Sequence, residues 1–192
     1  MGYDRSLIKR ILCGDRRSFE EFVERYKRLV NHIIFRIITN EEDRKDICQE
    51  VFLKIYRSLG SFQFRSKVST WVASIAYNTA LNHFRENTSL SLEEISEDVL
   101  LNNSFENNDA PDEYTEKRDI SAYLQAEIAK LPVQYRAAIT LYHLEEMSYH
   151  EISLAMNLPE GTVKSHLFRA RRLLKERISS QFGQEEICRK GI

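Results

Sequence analysis

The sequence predicts an all-α fold, and three observations carry that reading. Only 6 Gly and 3 Pro occur in 192 residues, too few for a turn-rich β protein. Apolar residues recur at steps of three and four in both halves of the chain, the spacing of one helix face. No stretch alternates apolar and polar residues well enough to read as a strand. The expected architecture is two small helical bundles and a tether.

The elements follow in order. Phe19, Phe22, Val23, Tyr26, Leu29, Val30, Ile33, Ile34 and Ile37 form one apolar stripe, interrupted at Thr39-Asn40. Asn40 caps a second helix, with Glu41, Glu42 and Asp43 in its first turn. That helix buries Ile47, Val51, Phe52, Ile55 and Leu59 and stops at Gly60. A loop to Lys67 leads into a third helix over Val68–Arg85, with Ser69 or Thr70 near its start. Residues 86–118 lose this periodicity and bury too little to offset ordering entropy, apart from a short helix expected near Leu92–Leu101. Helices resume near Lys117 with Ile120, Tyr123, Leu124, Ile128 and Leu131, and Pro132 ends the first of them. Another covers Val133–Leu144. A short helix at Ser148–Met156, a turn at Asn157-Leu158-Pro159 and a long helix over Glu160–Ser179 complete the set. Ser148 and Glu151 have capping-box spacing.

The formal net charge of −1 hides a strong pattern. Residues 1–85 carry 16 basic and 10 acidic side chains, residues 86–118 carry 2 and 10, and residues 119–192 carry 10 and 9. Two basic patches flank an acidic middle, which points to a polyanion partner. No apolar run approaches the roughly 18 residues of a membrane span, and the N-terminus lacks a signal-peptide pattern, so a cytoplasmic location without membrane insertion is expected. Cys13, Cys48 and Cys188 are too few and too widely spaced for a disulfide framework or zinc knuckle. No metal or other cofactor is expected. His150-Glu151 begins a zinc-protease pattern, but Leu154 stands where the second His belongs. There is no P-loop and no GxSxG, so no catalytic residue is assigned and an enzyme is not expected.

The last two helices have the lengths of a helix-turn-helix. Ile152, Leu158, Val163, Leu167, Ala170 and Leu174 face inward in that arrangement. Thr162, Lys164, Ser165, His166 and Arg169 remain for base edges and nearby phosphates, as the early residues of a recognition helix do. Arg171, Arg172 and Lys175 suit phosphates, which position without specifying. In the first bundle, Trp71, Ile75, Asn78, Asn82 and Arg85 follow at steps of three or four. Such a polar-aromatic face suits unpaired bases, and Phe62, Phe64 and Arg65 add stacking and charge in the preceding loop.

These segments together resemble a bacterial sigma factor of the extracytoplasmic function (ECF) group, in the sigma-70 family. The resemblance spans roughly residues 14–85 and 119–178. Asp46-Ile47-Cys48-Gln49-Glu50-Val51-Phe52 is similar to the family's polymerase-binding helix. The run from Ser69 to Asn78 is similar to its promoter-melting helix. Leu131-Pro132, Tyr135-Arg136, Tyr149-His150-Glu151-Ile152 and the run from Gly161 to Arg171 match its C-terminal domain.

The resemblance implies sigma domain 2 at 1–86, an acidic linker at 87–118, sigma domain 4 at 119–180 and a tail at 181–192. Asp46, Gln49 and Glu50 would dock on the clamp helices of the polymerase β′ subunit, and the β flap is the other part of core implied as a contact. Phe62, Phe64, Arg65, Lys67, Trp71, Asn78, Asn82 and Arg85 would engage the minus-ten element as it opens, with the loop holding a flipped-out base. Thr162, Lys164, Ser165, His166, Phe168, Arg169, Arg171 and Arg172 would read the minus-thirty-five element. The partners implied are core RNA polymerase, promoter DNA as duplex and single strand, and an anti-sigma factor. Ser74, Asn82, Lys164, His166 and the missing Gly after Phe64-Arg65 depart from the common pattern at reading positions, so no promoter sequence carries over. A stand-alone helix-turn-helix regulator remains the alternative; it leaves the Asp46–Phe52 helix and the Trp71–Arg85 face unexplained.

Overall fold

The computed structural model describes residues 2–88 and 116–190, with side chains at 3–87 and 123–179. Most of the expected linker, including the helix expected near Leu92–Leu101, lies outside the described residues. Regular structure among the described residues is helical throughout. The N-terminal group is α1 (Gly2–Leu12), α2 (Arg16–Ile37), α3 (Glu41–Ser58), a 3₁₀ turn at Leu59–Ser61 and α4 (Val68–Thr88). The C-terminal group is α5 (Glu116–Ala129), α6 (Val133–His143), α7 (Tyr149–Met156) and α8 (Glu160–Lys190).

Local chemistry sets the helix ends. The Asp15 carboxylate accepts from the Arg17 and Ser18 amides and starts α2. The Asn40 side chain does the same for Glu42 and Asp43 at the head of α3. Ser148 and Glu151 form a complete capping box on α7, and Asn157 ends that helix in the left-handed conformation. Two elements differ from expectation. The sequence stripe begins at Phe19, yet α1 forms ahead of it and buries Leu7, Ile8 and Ile11. Helix α8 runs past the expected end at Ser179 to Lys190.

The core begins with α2, which buries Phe22, Tyr26, Leu29, Val30, Ile33, Ile34 and Ile37 along one face. Each such fully buried aliphatic side chain contributes about 1.5–3 kcal/mol. Helix α4 is central, packed on α2, α3 and α7. Its Ala73, Ala76 and Ala80 are fully buried, and these small side chains let neighbouring backbones approach. The two groups also pack on one another, α2 against α6 and α4 against α7. Lys67 pairs with Glu151 at 2.8 Å across that junction. His32 meets Glu145, and Arg36 donates to Gln125.

Candidate nucleic-acid interface

Asp46, Gln49 and Glu50 lie on the exposed side of α3, opposite the buried Ile47, Val51 and Ile55. Glu50 pairs with Lys54 at 2.7 Å, one turn on. Leu53 and Tyr56 continue the same exposed stripe, at 55% and 51% exposure. The face is therefore acidic and polar at one end and apolar at the other. Cys48 is half-buried beside it, donating to the Asn31 side-chain oxygen at 3.1 Å, and burial pushes its thiol pKa up.

The loop between the 3₁₀ turn and α4 is held by its aromatic residues. Phe62 stacks on Trp71 with ring centres 4.7 Å apart and contacts Phe64 at the same distance. Phe64 takes the left-handed conformation, φ 56°, which costs a non-glycine residue about 1–2 kcal/mol. The ring contacts and the Arg5 guanidinium 4.9 Å over the Phe64 ring offset that cost. Trp71 is thus half-buried and acts first as a support for the loop. Arg65 and Lys67 are exposed.

Beyond the loop, Asn78 and Asn82 are exposed on α4, with Asn78 donating to Ser74 at 3.3 Å. Arg85 is half-buried at the same helix's end. Of the residues expected at the minus-ten element, Arg65, Lys67, Asn78 and Asn82 are exposed, and Phe62, Phe64, Trp71 and Arg85 are half-buried. A cavity of about 580 Å³ opens beside the loop, lined by Asp4, Arg5, Arg25, Tyr26, Phe64 and Lys67 among others. Sequence reasoning missed its α1 and α2 walls. Tyr26 belonged to the apolar stripe, and Asp4 and Arg5 belong to no motif.

On α8, Lys164, Ser165, Phe168, Arg171 and Arg172 are exposed. Phe168, at 66%, is the most exposed large apolar side chain among the described residues. Lys164 lies 5.7 Å over the Tyr149 ring and Arg171 lies 5.0 Å over the Tyr142 ring, so both cations are pre-positioned. Thr162 is half-buried in the first turn. Arg169 is half-buried and donates to the Tyr135 hydroxyl at 3.5 Å. His166 is not on the exposed face. It is buried, its ring centre 5.1 Å from that of Tyr135, and burial lowers its pKa. Position 166 lies one turn from both Val163 and Ala170, so it flanks the inward stripe, and packing on α6 claims it.

A second cavity, about 320 Å³, lies between α5, α6 and α8, with Leu124, Ile128, Ile139 and Leu174 in its walls. Arg36 from α2 reaches its rim. Arg136, buried nearby, donates to the Ala129 carbonyl at 2.9 Å, and burial with the neighbouring Arg36 lowers its pKa to about 10. It remains charged at neutral pH. Among the described residues, no helix is long and apolar enough to cross a membrane.

The family model "Sigma-70 region 2" matches residues 22–89, and "Sigma-70, region 4" matches residues 121–174. The RNA polymerase sigma-H factor of Pseudomonas aeruginosa is 34% identical over 173 residues, covering 88% of this chain and 90% of that protein. The ECF RNA polymerase sigma-E factor of Haemophilus influenzae is 33% identical, covering 91% and 95%. The ECF RNA polymerase sigma factor SigW of Bacillus subtilis is 31% identical, covering 89% and 94%. Among solved structures, CnrH in complex with the cytosolic domain of CnrY superposes with a TM-score of 0.66 at 20% identity, covering 92% of this chain and 97% of that one. The sigma factor RpoE of Bartonella quintana, in complex with the anti-sigma factor NepR, gives 0.63 at 20% identity, covering 84% and 96%. These two likenesses concern the fold. With both region models matched in order and relatives above 30% identity along nearly the whole length, the chain belongs to the sigma-70 family of RNA polymerase sigma factors, in the extracytoplasmic function group.

Proposed function

We infer that this sigma factor binds core RNA polymerase, directs it to particular promoters and helps open the DNA at the start site. The observation that carries this reading is the presence of exposed functional side chains on three different elements of one small chain. They lie on the α3 stripe, on the Arg65–Asn82 segment with its cavity, and on the cationic outer face of α8. A stand-alone regulator would use the third alone.

The chemistry assigned to each surface follows from its residues. Asp46, Gln49 and Glu50, extended by Leu53 and Tyr56, suit a partner helix pair with matching polar and apolar parts, here the β′ clamp helices. The apolar cavity between α5, α6 and α8 suits an apolar helix tip, here the β flap. The aromatic loop and the exposed amides of Asn78 and Asn82 suit unpaired bases. Capturing a flipped base offsets the few kcal/mol of unstacking it requires. Lys164, Ser165 and Phe168, exposed on α8, suit the duplex major groove, and Arg171 and Arg172 suit its phosphates. Thr162 and Arg169 border that face, whereas His166 supports it from inside. The protein performs no covalent chemistry in this scheme; the polymerase does. Domain limits at 86/87 and 118/119, action in the cytoplasm and control by an anti-sigma factor belong to the same proposal. Two solved structures of like fold, CnrH with the cytosolic domain of CnrY and the sigma factor RpoE with the anti-sigma factor NepR, support the last point.

A mobility-shift comparison tests the reading. On one duplex promoter fragment, the chain alone should give weak, salt-sensitive binding, and chain plus core a salt-resistant complex. A tight, sequence-specific complex formed by the chain alone would favour the stand-alone regulator instead.

A further inference from the structure

Arg171 and Arg172 are adjacent in sequence and both exposed on the outer face of α8, yet they are held differently. Arg172 pairs within its own helix, with Glu176 one turn on at 3.7 Å. Such a pair between exposed side chains orders an arginine little. Arg171 is held by another helix. Its guanidinium lies 5.0 Å over the Tyr142 ring, and one terminal nitrogen donates to Nε2 of His143 at 3.4 Å. Tyr142 and His143 are the last two residues of α6.

The seat is itself fixed. The Tyr142 ring stacks on Tyr149 of α7 with centres 5.3 Å apart, and the His143 ring meets it edge-on at 4.9 Å. Side chains of α6, α7 and α8 therefore meet around one ring. Partial burial, reinforced by Arg171, holds the His143 pKa below the usual imidazole value. At neutral pH the imidazole is uncharged and accepts from the guanidinium. These contacts use the flat face of the guanidinium and one of its N–H groups, and most of its donors remain available on an exposed side chain. A cation already held in place loses less rotamer freedom when it meets a phosphate.

We propose that Tyr142, aided by His143, is a positioning residue for promoter binding: it holds the Arg171 guanidinium on the outer face of α8, ready for a phosphate of the duplex. This rests on the reading of that face as the duplex-binding one. Arg172, which has no such seat on α6 or α7 among the described residues, serves as the internal comparison.

The test measures the affinity of the full chain with bacterial core polymerase for a duplex promoter fragment that supports run-off transcription, over a range of salt. Tyr142→Leu removes the ring face and should weaken binding about two- to fivefold, the worth of an exposed cation–ring contact. Tyr142→Phe keeps the ring and should restore wild-type binding. Arg171→Ala should weaken binding and flatten the slope of log affinity against log salt by about 0.9, the loss of one phosphate contact. A double-mutant cycle decides. Added to Arg171→Ala, Tyr142→Leu should cost nothing further; added to Arg172→Ala, it should cost its full two- to fivefold, as estimated above for about one cation–ring contact. A merely structural role for Tyr142 would impose the same loss in both backgrounds, and that result would overturn the proposal. So would unchanged or tighter binding by Tyr142→Leu, which would mean that the ring holds Arg171 away from the DNA. If Tyr142→Leu does not fold, His143→Ala, at an exposed position, takes its place in the cycle. Equal losses beside Arg171→Ala and Arg172→Ala, or no loss, would then overturn the proposal. Wild-type affinity and salt dependence in Arg171→Ala itself would overturn instead the reading of the α8 face. A chain that starts no transcript from any fragment would overturn the promoter reading.

Discussion

Phe64 shows how a single residue carries both strain and function. The loop needs one left-handed residue, and this sequence supplies a phenylalanine at φ 56° where a glycine would be free of strain. Phe64→Gly removes the strain and also the contacts with Phe62 and Arg5. Its unfolding free energy should stay within about 1 kcal/mol of wild type in urea denaturation, while transcription from opened templates falls. His166 behaves oppositely. Its folded pKa lies below the ordinary imidazole value, so its burial carries no ionisation penalty above about pH 6.5 and destabilises as pH falls below that. Wild-type stability should therefore drop between pH 7.5 and 5.5 by more than that of His166→Gln, measured by urea midpoints. A smaller or equal drop in the wild type would remove the buried neutral histidine from the account. Residue-level legibility follows the same division. Caps such as Asn40 and Ser148 act on their own backbone and can be read from sequence. The burial of His166 depends on where Tyr135 lies, 31 residues away in sequence and on another helix.

At the scale of elements, the α7–turn–α8 unit is the most fully specified. Its capping box satisfies the first amides of α7, and the left-handed Asn157 (φ 54°) reverses the chain into α8. Ser148→Ala should cost about 1 kcal/mol of unfolding free energy. Asn157→Val should cost about 1–2 kcal/mol, and Asn157→Gly close to nothing. All three are read from chemical denaturation of the full chain. The expected limits of α7 and the expected start of α8 lie within a residue of those observed, because caps and periodicity agree, whereas α8 runs on past the expected Ser179 to Lys190. Helix α1 was not legible for the converse reason. Eleven residues are too few to be helical alone, and Leu7, Ile8 and Ile11 acquire meaning only against the α2 face. The sequence also gave no sign that α1 walls a cavity, since Asp4 and Arg5 look like ordinary surface charge.

At the scale of the molecule, the two helical groups meet through polar links as well as packing. Lys67 and Glu151 form the ion pair there, and the hydrogen bond from Lys67 is the first cause of the lowered Glu151 pKa. Lys67 is therefore engaged by the C-terminal group while it also lines the nucleotide-sized cavity. Glu145→Lys puts an ammonium group in place of the carboxylate that meets His32 and should loosen the junction. Small-angle scattering of the full chain should then give a larger radius of gyration than wild type in low salt. The difference should shrink in about 1 M salt, where the screening length falls to roughly 3 Å. An identical radius in both proteins at low salt would mean that apolar packing alone holds the junction. The all-α class, the helix-turn-helix and the basic outer face were legible in the sequence, since each rests on local periodicity or charge. The packing of α2 on α6 and α4 on α7 was not, because it depends on complementary faces far apart in the chain.

Run-off transcription with purified bacterial core polymerase, with and without this protein, on genomic promoter fragments tests the central claim most directly. Discrete new start sites should appear only with the protein, and should weaken on Asn78→Ala and on Arg169→Ala. Absence of any new start site, with no binding to core, would contradict it.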